Sequence, residues 1–155
     1  MLWNEPEKYI EMISGFIESD PADHVGYFSR HQAWVRVGRL DKALDDIDRA
    51  IALRESVIGH LSRGKILSSL GRYQEALADF NRAEELDPAG WVDCWGPLYR
   101  ADCRAWLGQA DAALADCARL PEDFFSPGLS GTPSGNKAQI AAAIRQRVAG
   151  AHNGS

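Results

Sequence analysis

"LSRGKILSSLGRYQEALADFNRAEELDP", residues 61–88, places two amphipathic runs on either side of Gly71. Ile66, Leu67 and Leu70 recur at helical spacing before the glycine, and Leu77, Phe80, Ala83 and Leu86 continue that spacing after it. A left-handed glycine ends one helix and lets the chain reverse, and Asp87-Pro88 stops the next. The stretch therefore predicts a helical hairpin. Arg63 stands among apolar residues sixteen positions before Asp79, which raises the question of whether the pair is chemistry or architecture.

The neighbouring sequence answers by repetition. When Gly38, Gly71 and Gly108 are superposed, five columns are identical: Arg30, Arg63 and Arg100 eight residues before; the glycines themselves; Ala43-Leu44, Ala76-Leu77 and Ala113-Leu114 after; then Asp46, Asp79 and Asp116. At residue frequencies of about 5–10% each, such triple identity arises by chance well below once in a million. The glycines are 33 and then 37 residues apart, so the period is close to that of a helix-turn-helix unit, with a short insertion in the second junction. An arginine on each first helix and an aspartate on each second helix suit an ion pair that fixes helix register. Active sites do not triplicate along a solenoid, so Arg30/Asp46, Arg63/Asp79 and Arg100/Asp116 read as structural pairs.

Leu70-Gly71, Tyr73, Ala76-Leu77, Phe80, Ala83 and Pro88 resemble the tetratricopeptide repeat family, and Gly38, Leu40, Ala43-Leu44, Ile47 and Ala50 carry the same resemblance in the first copy. The third copy departs from the pattern at Cys117, Leu120 and Pro121, and His31 stands where a small residue is usual. The resemblance implies an all-α solenoid of three helical hairpins, residues 24–56, 57–90 and 94–122, within one domain. Residues 4–20, with Tyr9, Met12, Ile13, Phe16 and Ile17 assigned to one face, form a capping helix; a Pro/Gly/Ser linker spans 121–136. Asn136 caps a closing helix over 137–149 whose Ile140, Ile144 and Val148 stack, and residues 150–155 form a tail.

The bulk composition agrees with one packed domain. The 155 residues are 45% hydrophobic and 25% charged, and the net charge of −5 leaves no broad basic face for nucleic acid. No run spans a bilayer, and the start, "MLWNEPEKYIEMI", has no signal-like pattern, so a cytoplasmic location is expected. Cys94, Cys103 and Cys117 show no C-x-x-C pairing and read as reduced core thiols. His24 and His31 lack companion ligands, His60 is assigned a packing or solvent-facing place, and no nucleophile or nucleotide-loop motif is present. Neither catalysis, metal nor cofactor is expected.

What varies between units is the candidate binding surface. The family resemblance implies that the first helices line a groove for a peptide or a partner helix. By register it places Phe28, Ser29 and Gln32, then Ile58, Ser62 and Lys65, then Trp95, Tyr99 and Asp102 along that groove. At the places where one subclass of the family holds a terminal carboxylate with cations, this sequence has Phe28, Gln32, Ser62, Trp95 and Tyr99 instead. They suit an apolar or aromatic segment, with an acidic group near Lys65, in an adaptor or scaffold role. Trp91, Phe124 and Phe125, outside the repeat pattern, either tuck back or mark an interface. A homodimer or chaperone-like shield for an apolar segment is the alternative, and the closing helix either caps the stack or enters a groove.

Overall fold

A computed structural model describes residues 4–128 and 131–153, the last two by backbone alone. Helix α1 (Pro6–Ser19) precedes three hairpins: α2 (His24–Arg36) with α3 (Leu40–Leu53), α4 (Val57–Ser69) with α5 (Tyr73–Leu86), and α7 (Gly96–Trp106) with α8 (Ala110–Ala118). A short α6 (Pro88–Asp93) lies between the second and third hairpins, and α9 (Lys137–Asn153) closes the chain. Each element packs on its sequence neighbours, so the fold is a row of hairpins. The core is correspondingly a row of clusters, centred on Ile47, on Phe80 with Trp91, and on Leu98 with Ile140 and Ile144. No helix among the described residues is long and apolar enough to cross a membrane.

Local chemistry sets the helix ends. Asp23 accepts from the Val25 N–H and Ser56 from the Gly59 N–H, each at 3.0 Å, capping α2 and α4. Gly38, Gly71 and Gly108 have φ of 75°, 75° and 74°, a region from which a Cβ is largely excluded. Each forms the same paired closure. Around Gly71, its N–H donates to the Ser68 carbonyl at 3.0 Å, and the Arg72 N–H donates to Leu67 at 2.9 Å. Three identical turns make three superposable hairpins.

The repeated arginines tie those hairpins together. Arg30 Nε and Nη2 both reach Asp46 at 2.7 Å; Arg63 grips Asp79 at 2.8 and 2.7 Å; Arg100 grips Asp116 at 3.0 and 2.8 Å. The remaining nitrogen turns back to α1, α3 or α5: Arg30 Nη1 donates to Ser14 at 3.0 Å, Arg63 Nη1 to Asp48 at 2.9 Å, and Arg100 Nη1 to Asn81 at 3.0 Å and Glu84 at 2.5 Å. Ser14, Asp48 and Asn81 occupy one column of the repeat. One guanidinium therefore joins three helices in every unit, a geometry that a point-charge ammonium would not reproduce.

Gly64 leaves room for Phe80, whose ring would lie 2.5 Å from an added Cβ; the same two columns hold His31 and Ile47 in the first unit, and Ala101 and Cys117 in the third. Leu120 replaces a small residue because it packs into the terminal cluster with Phe124, Ile140 and Ile144.

Several sequence expectations need correction. The second junction is helical: Pro88 stands at the first position of α6, where a missing N–H costs nothing, and Trp91 is fully buried against Phe80. On α1 the buried ridge is Ile10, Ile13 and Ile17, while Met12 and Phe16 are 38% and 61% exposed, because α1 packs chiefly against α2. The linker contains a two-residue antiparallel pair, β1 (Phe125–Ser126) with β2 (Gly135–Asn136). Phe124, Thr132 and Pro133 are buried, and Phe125 is exposed. Leu129 and Ser130 lie outside the described residues. The last helix runs to Asn153, past the expected 149, so the described part of the tail is helical; Gly154 and Ser155 lie outside it. It packs on α7 and α8 and closes the end of its own stack. Asn136 and Gln139 exchange backbone-to-side-chain hydrogen bonds of 3.0 and 2.9 Å at its start.

Two substitutions test this account by thermal or denaturant unfolding. Trp91→Ala removes a fully buried indole and is expected to cost about 3–5 kcal/mol, lowering Tm by about 10 °C. Arg63→Leu leaves Asp79 buried with His60 as its remaining partner and is expected to cost about 2 kcal/mol, whereas Arg39→Leu, at the exposed Asp41 pair, is expected to leave the unfolding curve close to that of the native chain. Equal effects at Arg63 and Arg39 would contradict a register-fixing role.

Candidate functional site

The first helices of units one and two diverge enough to leave an open groove of about 230 Å³. His31, Gln32 and Val35 of α2 form one wall, Ser62, Lys65, Ile66 and Ser69 of α4 the other, and Leu40 at the start of α3 one end. Both walls follow helical spacing, which brings these side chains onto facing ridges. The lining is mixed: Val35, Leu40 and Ile66 are apolar, and Gln32, Ser62 and Ser69 offer donors and acceptors. No carboxylate of the described residues lines it.

The groove unites only part of the surface expected from register. Gln32, Ser62 and Lys65 line it. Tyr99 and Asp102 join Lys65 in an adjoining recess of about 20 Å³ with Ser68, Phe80 and Thr132. Phe28 instead packs against the first-unit core and edge-on to His31 at 4.7 Å. Trp95 packs edge-on to Phe124 at 5.3 Å, and its backbone is left-handed, φ 61°. Ser29 and Ile58 line neither cavity. Val35, Leu40, Ile66 and Ser69, absent from the register-based set, show that the open groove lies about one turn nearer the C-terminal ends of α2 and α4. Val35 follows Gln32 by three residues and Ser69 follows Lys65 by four, so the helical period was the available signal.

The third unit is covered by the chain's own C-terminal part. Phe124 lies on Trp95, Thr132 enters the recess beside Tyr99, and Arg147 of α9 forms a salt bridge with Asp102. Arg147 also sits 4.5 Å over Trp106, which stacks on Tyr73. Lys65 enters none of the ion pairs among the described residues; its Nζ stands 4.5 Å over the Tyr99 ring.

Two histidines among the described residues, His31 and His60, are buried. His60 bridges Asp79 at 2.8 Å through Nδ1 and Glu55 at 2.9 Å through Nε2, which places it inside the structural network. Its column holds Tyr27 and Pro97 in the other units, so the repeat carries no trace of that role. Glu55 is also gripped by Arg82, which with His60 holds its carboxyl down at about 2. His31, on the groove wall, is held below its ordinary value by burial, against the opposing effects of the Phe28 carbonyl and Asp46. Burial raises the Cys103 thiol to about 11 and pushes Cys117 up as well, so both are poor nucleophiles. No cluster of three or more metal-ligating side chains occurs among the described residues.

The family model for the tetratricopeptide repeat matches residues 57–89. No curated protein matches the sequence. Among solved structures, the chain is similar to YrrB, described as a TPR protein with an unusual peptide-binding site, at TM-score 0.69 and 21% identity, covering 97% of this chain and 76% of that one. It is also similar to MamA, at TM-score 0.71 and 14% identity over 97% and 79% of the two chains. A thermophilic TPR protein of Thermus thermophilus, TTC0263, gives TM-score 0.64 and 21% identity over 97% and 75%. At these identities the likeness establishes the fold alone, a TPR solenoid.

His31 supplies a pH test. Because burial lowers its folded pKa from 6.5, the unfolded chain takes up the proton first. The neutral ring's contribution is complete above the unfolded value and is lost as pH falls toward the folded one. Melting curves at pH 7.5 and 5.5 are expected to show a larger loss for the native chain than for His31→Gln. Equal losses would show that His31 charges without penalty.

Proposed function

We propose that this tetratricopeptide-repeat chain is a noncatalytic adaptor or scaffold that holds an extended apolar or aromatic peptide segment in the groove between α2 and α4. The open groove of about 230 Å³, with Val35, Leu40 and Ile66 beside Gln32, Ser62 and Ser69, is the observation that carries the reading. Apolar contacts supply binding free energy, and the flanking amide and hydroxyl groups pair with a peptide backbone. Coverage of Trp95 and Asp102 by Phe124 and Arg147 argues for a ligand seated along the first two units. Since the repeated arginines and aspartates are committed to one another, the unit-specific residues carry recognition.

Self-association is a second reading, favoured by Phe16 and Phe125, exposed at 61% and 64%. Under it the chain forms a homodimer or shields an apolar segment of a partner. Sedimentation velocity separates the two readings: a mass that rises with concentration in the native chain but not in Phe16→Ser or Phe125→Ser supports self-association.

For groove binding, a library of random peptides displayed against the full chain is expected to yield binders that compete with one another. Ser62→Tyr fills the groove from its wall and is expected to abolish their binding with little change in Tm. Binders unaffected by Ser62→Tyr would place recognition elsewhere.

A further inference from the structure

We infer that the groove selects a peptide by an acidic side chain seated against Lys65, next to an apolar residue packed on Val35, Leu40 and Ile66. This rests on the groove reading above and adds the chemistry of the anchoring residue.

The charge distribution carries the inference. Most arginines along the chain engage a carboxylate, including those at all three repeated forks and Arg39, Arg72, Arg82, Arg104, Arg119 and Arg147. Lys65 is the exception on the groove wall. It is half-buried, no carboxylate of the described residues lines its groove, and its ammonium rests over the Tyr99 ring at 4.5 Å. Asp102 shares the adjoining recess and would be its natural counter-ion, but Arg147 of α9 already holds that carboxylate.

The C-terminal helix thus leaves Lys65 uncompensated. A cation–π contact gives a half-desolvated ammonium less than a counter-charge would, and a carboxylate arriving along the groove adds a charge-assisted hydrogen bond. The neutral imidazole of His31 adds no competing charge near pH 7. Gln32, Ser62 and Ser69 stand on the same walls to pair with the main chain on either side of the acidic residue. The resulting preference is for an internal Asp or Glu flanked by an apolar or aromatic residue.

The displayed library tests this directly. Peptides selected by the full chain are expected to carry Asp or Glu at one fixed position beside an apolar residue. A selected peptide, acetylated and amidated so that its carboxylates belong to side chains alone, is titrated by fluorescence anisotropy. Lys65→Met is expected to weaken it about tenfold. Selection on Lys65→Glu is expected to exchange the acidic position for Lys or Arg, and both variants should melt close to the native chain because Lys65 joins no ion pair among the described residues.

Peptides that are lost on Ser62→Tyr yet show no acidic position, or bind Lys65→Met equally well, would overturn the inference and leave groove binding intact. Binding that requires a free C-terminal carboxylate would overturn the side-chain assignment. A library that returns no peptide sensitive to Ser62→Tyr would overturn the groove reading, and the inference with it.

Discussion

Each unit depends on a guanidinium that reaches three helices at once. Two nitrogens of Arg30, Arg63 or Arg100 grip an aspartate on the second helix of the same hairpin, and the third donates backward to α1, α3 or α5 respectively. Asp46, Asp79 and Asp116 are buried, and this fixed, bidentate partner satisfies both oxygens of each carboxylate. The contact therefore fixes both the pairing within a hairpin and its placement on the previous one. A linear array without long-range closure needs such neighbour contacts because its stability is a sum of units and their interfaces.

That commitment shapes function. Charges engaged in the repeated forks are unavailable to ligands, and the apolar columns around Ala43, Ala76 and Ala113 are closed by hairpin packing. Freedom to vary remains on the first helices, where His31, Gln32 and Val35 face Ser62, Lys65 and Ile66. The C-terminal segment then narrows the available surface, since Phe124 on Trp95 and Arg147 on Asp102 use groups that register alone would assign to a ligand. An end cap in this protein also edits the charge of the neighbouring face.

The hairpins were legible because they repeat. Three glycines, three arginines and three aspartates in constant register amount to a local code, and helical periodicity supplied the buried faces. The irregular parts were less legible for a definite physical reason. Trp91 sits in an insertion without a counterpart in the other units, and its burial depends on Phe80 and on Gly96, where an added Cβ would lie 2.2 Å from the indole. His60 likewise becomes part of an ion network through Glu55 and Asp79, five and nineteen residues away, with no periodic signal.

The helical hairpins, their number, their left-handed glycine turns and the arginine–aspartate pairs follow from spacing within one repeat and can be read from the residues. Where the groove remains open, that Asp102 belongs to Arg147, and that Lys65 is left over the face of Tyr99 emerge from the folded packing. Those outcomes depend on how the closing helix and the segment before it pack against residues distant along the chain, and no periodicity within a repeat encodes contacts of that range.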